Sequence, residues 1–338
     1  MAQLVKLQDY ISRYQIDLAR YPTQFIRLKQ NQWQRVKHQW QTGEEIERWE
    51  HMDEDALQQE EKGRTLFQRI FSFSKKEKEL EQENEHEDIE NIKISNEWAV
   101  EEQIPEEDTT LFFEPNIIYA PKTLEELKKM FIDQFFHFQM KWASSTLREK
   151  SYVDPKYMRD TLLRAMLQTL PDNYLIFYYP IIRVKKAPIE LDIIILTPTE
   201  CLCITVMEQE EQAVYIANSE RFWVKKVGKN DKKVLSPLIQ LNRMEKLLEQ
   251  MFEQSGIEVP IKKILLTRNG YIDYPGTMYG TQFVDKRKFP EWMEQLKHSV
   301  SPMKHMQIRA AQSILSNVQT TSFHRDIWNT ESTETKDG

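Results

Sequence analysis

Short apolar runs separated by short polar turns fill the middle of the chain and predict a β-sheet. Five runs have the length of strands: 174–184, 190–197, 200–207, 212–217 and 221–227. The turns between the first three runs hold only a few residues, whereas parallel neighbours need a crossover of a dozen or more residues. We therefore expect these three strands to lie antiparallel to their neighbours.

Apolar residues at helical spacing precede this predicted sheet. Thr123 stands where an N-cap is expected, and Glu126, three residues later, fits a capping box. One face of the helix that follows is apolar and carries Leu124, Leu127, Phe131, Phe135, Phe138 and Trp142. A second helix is expected to begin at Asp154-Pro155 and to end near Pro171, since proline is favoured at the first helical position.

The segments after the strands complete the pattern. Ser236-Pro237 opens a helix that ends near Gly256, and 261–267 indicates a buried strand, which is parallel to an earlier one if the helix is a crossover. A further strand is expected at 282–284, with helices near 289–298 and 302–317. Strands interrupted by helices indicate an α/β domain with a mixed sheet flanked by helices. We place this domain at residues 109–319.

The first 43 residues predict a basic helical arm. Three-and-four spacing, typical of a helical stripe, relates Leu4, Leu7, Ile11, Tyr14, Leu18, Tyr21, Phe25 and Leu28. Pro22 interrupts the stripe and divides it into a helical hairpin. Basic residues repeat every seventh position beside it: Lys6, Arg13, Arg20 and Arg27. Residues 1–41 either pack on the α/β domain or on a second subunit, or contact nucleic-acid phosphates.

Charge is distributed unevenly along the chain, whose formal net charge is −7. Residues 44–108 hold 23 Asp and Glu against 8 Lys and Arg, a net charge of −15, whereas residues 1–41 carry +5. Low hydrophobicity with high net charge predicts an acidic, partly disordered linker at 44–108. Such a segment serves as a solubilising spacer or mimics nucleic acid on a basic face. Residues 320–338 are polar and predict a flexible tail.

Several function classes find no support in the sequence. The two cysteines, Cys201 and Cys203, lie in one apolar run and lack the further ligands of a zinc site. A phosphate-binding GxxxxGK[ST] loop and an HExxH metal motif are both absent. The chain also lacks a run of about 20 apolar residues and a signal-peptide layout. We expect a cytoplasmic protein that does not associate with a membrane.

Asp192 is the candidate with the clearest chemistry. It opens the apolar run Ile193-Ile194-Ile195-Leu196, and a charge at the head of a buried strand is costly unless it is paired or binds a metal. Asp192 is therefore either a metal ligand or a structural carboxylate that a neighbouring amide or lysine satisfies.

Two stretches carry a resemblance to a known family. The first is Leu191-Asp192, followed by an apolar strand, the turn residues Thr197-Pro198 and another apolar strand. The second is Ser236-Pro237-Leu238-Ile239-Gln240, which is similar to an Asn-Pro-x-x-Gln helix start. Together they resemble the nuclease-related domain, NERD, of the PD-(D/E)xK superfamily. The resemblance covers roughly residues 122–300 and implies a restriction-endonuclease-like fold with catalytic positions at Asp192 and Gln240.

Members of that superfamily hold Mg²⁺ between an Asp and a Glu, and a Lys two residues after the Glu orients the attacking water. Alignment of the turn before the second apolar strand puts the Glu and Lys positions at Thr205 and Met207. Glu208 follows one residue late, and on a regular strand it faces the other way. The resemblance thus implies a degenerate site: Asp192 and Glu208 are the candidate metal ligands, and Mg²⁺ is the cofactor only if activity remains. Other groups that would rebuild a site are Glu190, Lys185, Lys186 and Lys225.

Three functions remain open from the sequence. The first is a nuclease-related protein that associates with DNA or RNA with weak or no cleavage. The second is a divergent Mg²⁺-dependent nuclease with migrated catalytic residues, and the third is a scaffold whose helical arm binds a protein partner or a second copy. The candidate nucleic-acid contacts are Lys185, Lys186, Lys225, Lys226, Arg13, Arg20 and Arg27.

Overall fold

The computed structural model describes residues 1–43, 121–184, 187–208, 212–218, 221–274, 280–298 and 301–324. The predicted acidic linker, Lys185, Lys186 and residues 325–338 lie outside the described residues.

A mixed six-stranded sheet forms the centre of the fold. Its strands, in spatial order, are β1 (Gln3–Leu7), β3 (Leu175–Tyr178), β6 (Ile193–Leu196), β7 (Cys201–Val206), β11 (Ile261–Leu266) and β13 (Thr281–Val284). β6 is antiparallel to both of its neighbours, and every other pair is parallel. The predicted antiparallel neighbours are confirmed for β3, β6 and β7, and so is the parallel return of 261–267. The run 174–184, predicted as one strand, is two, because Ile181–Val184 forms a separate strand outside this sheet.

A second sheet of four strands lies beside the first. Its order is β10 (Asn230–Leu235), β9 (Phe222–Val227), β8 (Val214–Ile216) and β12 (Tyr271–Asp273). Two short pairs complete the strands: β4 (Ile181–Val184) with β5 (Ala187–Glu190), and β2 (Glu149–Lys150) with β14 (Phe323–His324).

Seven α-helices are described: α1 (Tyr21–Thr42), α2 (Leu124–Trp142), α3 (Pro155–Met158), α4 (Thr161–Thr169), α5 (Leu238–Gln254), α6 (Phe289–Lys297) and α7 (His305–Asn317). Thr123 caps α2 as expected, since its side chain accepts from the Glu126 amide. The Glu126 carboxylate, however, accepts from the Lys122 amide, so the Glu126 side chain does not complete a capping box with Thr123. The helix predicted from Asp154 is two short helices, because Asp160 caps a new start at α4.

Helices cover both faces of the central sheet. Along β6 and β7, Ile194 and Cys203 face a core shared with α1, α2, α5 and α7, whereas Ile193 and Ile204 face a core shared with α4 and α6. The predicted α/β class is therefore confirmed. Both cysteines are buried and form no disulfide.

The predicted helix over the first residues is wrong. Residues 3–7 form β1, which pairs in parallel with β3 and is buried along its whole length. Because both of its faces are buried, β1 lacks the alternation that identifies a half-exposed strand. Leu4 and Leu7 also match helical spacing, which explains the misassignment. The helix predicted after Pro22 is observed as α1, where Phe25 and Val36 pack in the core.

The first residues of the predicted tail are paired with the body. The Lys6 ammonium donates to Thr320 Oγ1 at 3.1 Å, the Thr321 amide donates to the Asp9 carbonyl at 2.7 Å, and β14 pairs with β2. Burial of Lys6 lowers its pKa to about 7. Residues 320–324 are thus part of the folded domain, and the flexible tail stays a prediction only for residues beyond 324.

Candidate functional site

The candidate residues meet at one edge of the central sheet. β1, β3, β7 and β11 run parallel, and their directions across β6 agree because β6 is antiparallel to both β3 and β7. The residues that follow these strands therefore share an edge with Asp192, which precedes the antiparallel strand β6. In open α/β sheets, this carboxyl edge of the strands is where ligands bind.

Asp192 is held by a threonine on the neighbouring strand. Ile193 pairs with Ile204, which sets Asp192 beside Thr205. The Thr205 hydroxyl donates to Asp192 Oδ2 at 2.6 Å. Burial raises the pKa of Asp192; the Thr205 hydrogen bond lowers it and the nearby charge of Glu190 raises it, and the net effect is a raised pKa. Thr205 thus satisfies the carboxylate where a nuclease would place a second carboxylate.

The position expected to hold lysine carries a buried methionine. Met207 is 8% exposed and belongs to the core that faces α5. Its backbone amide donates to the Leu266 carbonyl at 2.8 Å, which extends the pairing of β7 with β11. The thioether carries no charge and donates no hydrogen bond, so it cannot orient a water molecule as an ammonium does.

Glu208 forms an ion pair with an arginine on the adjacent strand connection. Arg268 Nε lies 2.5 Å from Glu208 Oε1, and Arg268 Nη2 lies 2.6 Å from Oε2. The Arg268 amide also donates to Oε1 at 3.1 Å, and the hydrogen bonds that the guanidinium donates to Glu208 raise the pKa of Arg268. Both oxygens of Glu208 are therefore engaged by Arg268. This geometry does not support the prediction of Glu208 as a metal ligand beside Asp192.

Sequence reasoning missed Asp160 and two tyrosines at this edge. Asp160 Oδ1 caps α4 by accepting from the Leu162 and Leu163 amides at 2.9 and 3.0 Å, and Oδ2 accepts from the Tyr178 hydroxyl at 2.5 Å. The signal available for Asp160 was an Asp directly before a Thr-Leu-Leu helix start, which the longer predicted helix concealed.

Tyr179 is the residue around which the acidic groups converge. Burial raises its pKa, and so do the negative charges of Asp192, Asp160, Glu208 and Glu190. Its φ of 48° lies in the left-handed region, which is uncommon for a residue other than glycine. The phenol is thus kept neutral among these carboxylates.

An open cleft of about 420 Å³ lies at this edge, and its lining comprises Gln8, Lys156, Tyr157, Asp160, Tyr179 and Glu190. Among the residues that the structure describes, no three His, Cys, Asp or Glu side chains could hold one metal ion. The hydrogen bond from Thr205 to Asp192 and the ion pair of Glu208 with Arg268 do not fit the two-carboxylate Mg²⁺ site of the family that the sequence resembles.

The remaining predicted residues differ in their surroundings. Gln240 lies half-buried in the first turn of α5, near the position expected from the resemblance along the chain. Asp133 in α2 accepts from Arg164 at 3.2 Å and from Gln168 at 2.7 Å.

Two of the predicted nucleic-acid contacts are corrected by their burial. Arg13 is 1% exposed and lies over the Trp142 ring, 5.3 Å from its centroid. Lys225 is 3% exposed because its side chain points to the core face of the second sheet. Neither presents its charge to a phosphate. Lys226, Arg20 and Arg27 are exposed and stay predictions.

Comparison with known proteins gives one family match and one short relative. Residues 157–267, about a third of the chain, match the model of the NERD family, described as a nuclease-related domain. An RNA 2′,3′-cyclic phosphodiesterase from Geobacillus stearothermophilus is 56% identical over 41 residues, which are 12% of this chain and 13% of that protein. No solved structure matches the chain.

Among the described helices, none is both long and apolar enough to cross a membrane. The family match spans Asp160, Asp192, Thr205, Glu208 and Gln240, and so includes the acidic residues of the carboxyl edge, whereas Gln8 and Arg268 lie outside it. The match of residues 157–267 to the nuclease-related domain family confirms the NERD resemblance predicted from the sequence.

Proposed function

We propose that this nuclease-related protein associates with nucleic acid and does not cleave it by metal-dependent hydrolysis. The observation that supports the proposal is the 2.6 Å hydrogen bond from the Thr205 hydroxyl to Asp192. It occupies one oxygen of the carboxylate and places a neutral group where a second anion is needed.

The chemistry of phosphodiester cleavage explains why this substitution matters. A hard divalent cation requires several oxygen ligands and is bound by carboxylates in preference to neutral hydroxyls. With Thr205 at the Glu position, Asp192 alone supplies charge. With Met207 at the Lys position, no ammonium stabilises the charge that develops on the phosphate. Loss of both groups argues against catalysis more strongly than loss of either.

The divergent-nuclease alternative would need the carboxylates around Tyr179 to act together. Glu208 is neutralised by Arg268 and Asp160 is used as the cap of α4, where it also accepts from Tyr178. Each of these carboxylates already has a structural role. We therefore rank this alternative second.

The scaffold alternative rests on residues 1–41 as an assembly surface. Those residues contribute β1 to the central sheet and bury Phe25 and Val36 of α1 in the core. Much of the apolar stripe is consequently used within the chain, which weakens this alternative.

Nucleic-acid association is supported by the family and by exposed positive charge. Residues 1–41 carry a net charge of +5, α1 contains no Asp or Glu, and Arg20 at its N-cap and Arg27 within it are exposed. Lysine and arginine at such positions bind phosphates with little sequence preference, and the affinity falls as salt rises. The activity named for the Geobacillus relative is not carried over, because the match covers 13% of that protein.

The test measures binding and cleavage on one sample. The full chain is incubated with plasmid, single-stranded DNA and RNA in Mg²⁺ or Mn²⁺ at low salt, and each mixture is analysed on native and denaturing gels. We expect a salt-sensitive mobility shift with intact nucleic acid. Absence of any shift at low salt would refute the association, whereas cleavage that disappears in Asp192→Ala would refute the inactive site.

Arg20→Gln/Arg27→Gln tests the contribution of α1. We expect a weaker shift and a shallower salt dependence, because two phosphate contacts are lost. The matched control is Lys128→Gln/Lys129→Gln, which removes two exposed charges from α2 and should leave the shift unchanged.

A further inference from the structure

The four-stranded sheet has one face in the core and one face in solvent. In β9 and β10, Phe222 pairs with Leu235, Val224 with Lys233, and Lys226 with Asp231. Side chains alternate along a strand, so these three pairs share one face. The alternate residues point inward: Trp223 is fully buried, and Tyr215 and Ile272 are buried in the neighbouring strands.

The outer face combines apolar and aromatic groups with positive charge. Phe222 and Leu235 form a cross-strand pair and are 49% and 54% exposed. Because they lie opposite each other on neighbouring strands, the two side chains form one contiguous apolar patch on the outer face. The Arg221 guanidinium lies 5.7 Å from the centroid of the Phe222 ring.

A second aromatic residue lies at the opposite edge of the same face. Tyr271 in β12 pairs with Val214 in β8, and Val214 pairs with Lys226 in β9. Tyr271 therefore shares the outer face with Lys226. The Arg287 guanidinium lies 5.5 Å from the centroid of the Tyr271 ring. Each of the two aromatic rings thus has an arginine beside it.

The β9–β10 hairpin carries mostly positive charge. Residues 221–235 hold six Lys and Arg and a single acidic residue, Asp231, a net charge of +5. Lys226 lies 3.8 Å from Asp231, but both side chains are about half exposed, and an exposed ion pair of this kind contributes little. On the outer face, Lys233 lies opposite Val224 and Lys226 follows Val224 along β9; both lysines are exposed.

We propose that the outer face of the β8–β9–β10–β12 sheet binds single-stranded nucleic acid, with a base on Phe222 and phosphates at Lys226 and Lys233. This site rests on the nucleic-acid association proposed above and names its substrate class and location. Aromatic rings on an open sheet stack with unpaired bases, and neighbouring lysines neutralise the backbone. Duplex bases are stacked on each other and cannot reach Phe222, so the aromatic contact selects the single strand.

The test measures binding to the full chain by fluorescence anisotropy. The two substrates are a labelled single-stranded oligonucleotide of about 16 nucleotides, the upper site size of a single-strand-binding module, and the duplex of the same sequence. Phe222→Ala should weaken single-strand binding about tenfold, because stacking on one base contributes that much, and should leave duplex binding unchanged. Phe323→Ala removes a ring that is 54% exposed at another surface, and it should have no effect on either substrate.

Lys226→Gln/Lys233→Gln tests the phosphate contacts. The slope of log affinity against log salt for the single strand should become shallower by about 1.4, since each lost contact contributes about 0.7. The control is again Lys128→Gln/Lys129→Gln, whose slope should equal that of the unaltered chain.

The outcomes separate this site from the function on which it rests. If the unaltered chain binds neither substrate at low salt, the proposed association fails and the site fails with it. If single-strand binding persists in both the Phe222 and the lysine variants but is lost in Arg20→Gln/Arg27→Gln, the association stands and the site is overturned. Equal loss of duplex and single-strand binding in Phe222→Ala also overturns it.

Discussion

The Thr205 hydroxyl is expected to stabilise the fold through its hydrogen bond to a half-buried carboxylate. Thr205→Val keeps the shape of the side chain and removes the donor that lies 2.6 Å from Asp192 Oδ2. A hydrogen bond to a charged group contributes about 1.5–3 kcal/mol, and the acceptor left behind is costly to bury. We therefore expect Thr205→Val to lower the free energy of unfolding at pH 7 by about 1.5–3 kcal/mol.

The assay is urea unfolding followed by tryptophan fluorescence, in which a loss of this size shifts the midpoint by about 0.5–1 M for an m-value of about 3 kcal/mol/M. The same substitution is repeated in Asp192→Asn, where the acceptor is neutral and the cost should fall to about 1 kcal/mol. Thr161→Val, at an exposed threonine in α4, is the control and should be nearly silent. An equal cost of Thr205→Val in both backgrounds would refute the charge-assisted bond.

Three further outcomes follow from the same geometry. Burial raises the pKa of Asp192, so the native state binds the proton more tightly than the unfolded state, and stability should fall as pH rises above about 3.9 and then level off. Asp192→Asn should remove this pH dependence and raise the urea midpoint at pH 7. A lower midpoint of this variant at pH 7 would contradict the prediction. Arg268→Gln leaves Glu208 unpaired with its side chain 18% exposed and should cost about 3 kcal/mol in thermal unfolding, while Arg268→Gln/Glu208→Gln should recover part of that loss. Deletion of residues 44–108, which carry a net charge of −15, should raise nucleic-acid affinity at low salt if that segment covers a basic face; an unchanged affinity would reject the mimicry.

The central strands could be predicted because their sequence leaves few alternatives. β6 and β7 are short apolar runs joined by a Thr-Pro turn, and that length and connection permit only an antiparallel pair. Asp192 could be identified because a charge at the head of such a run is conspicuous. The degenerate positions Thr205 and Met207 followed from the resemblance, and Thr205 does contact Asp192.

The missed features depend on contacts between residues that are distant in sequence. Arg268 binds Glu208 across 60 positions, and no spacing rule indicates such a pair. Asp160 was concealed because a helix interrupted for two residues has nearly the same periodicity as a continuous one. The sequence of β1 predicts a helix because a strand buried on both faces gives no alternation of apolar and polar residues. Burial of Arg13 and Lys225 likewise depends on packing against residues distant in sequence.

The most direct test of the central claim is plasmid nicking in Mg²⁺ by the unaltered chain, by Asp192→Ala, and by Thr205→Glu/Met207→Lys, which restores the two missing groups. We expect the unaltered chain and Asp192→Ala to be equally inactive, and the restored variant to gain nicking that Asp192→Ala abolishes when the changes are combined. Nicking by the unaltered chain that Asp192→Ala removes would contradict the account, because it would show that Asp192 already belongs to a working metal site.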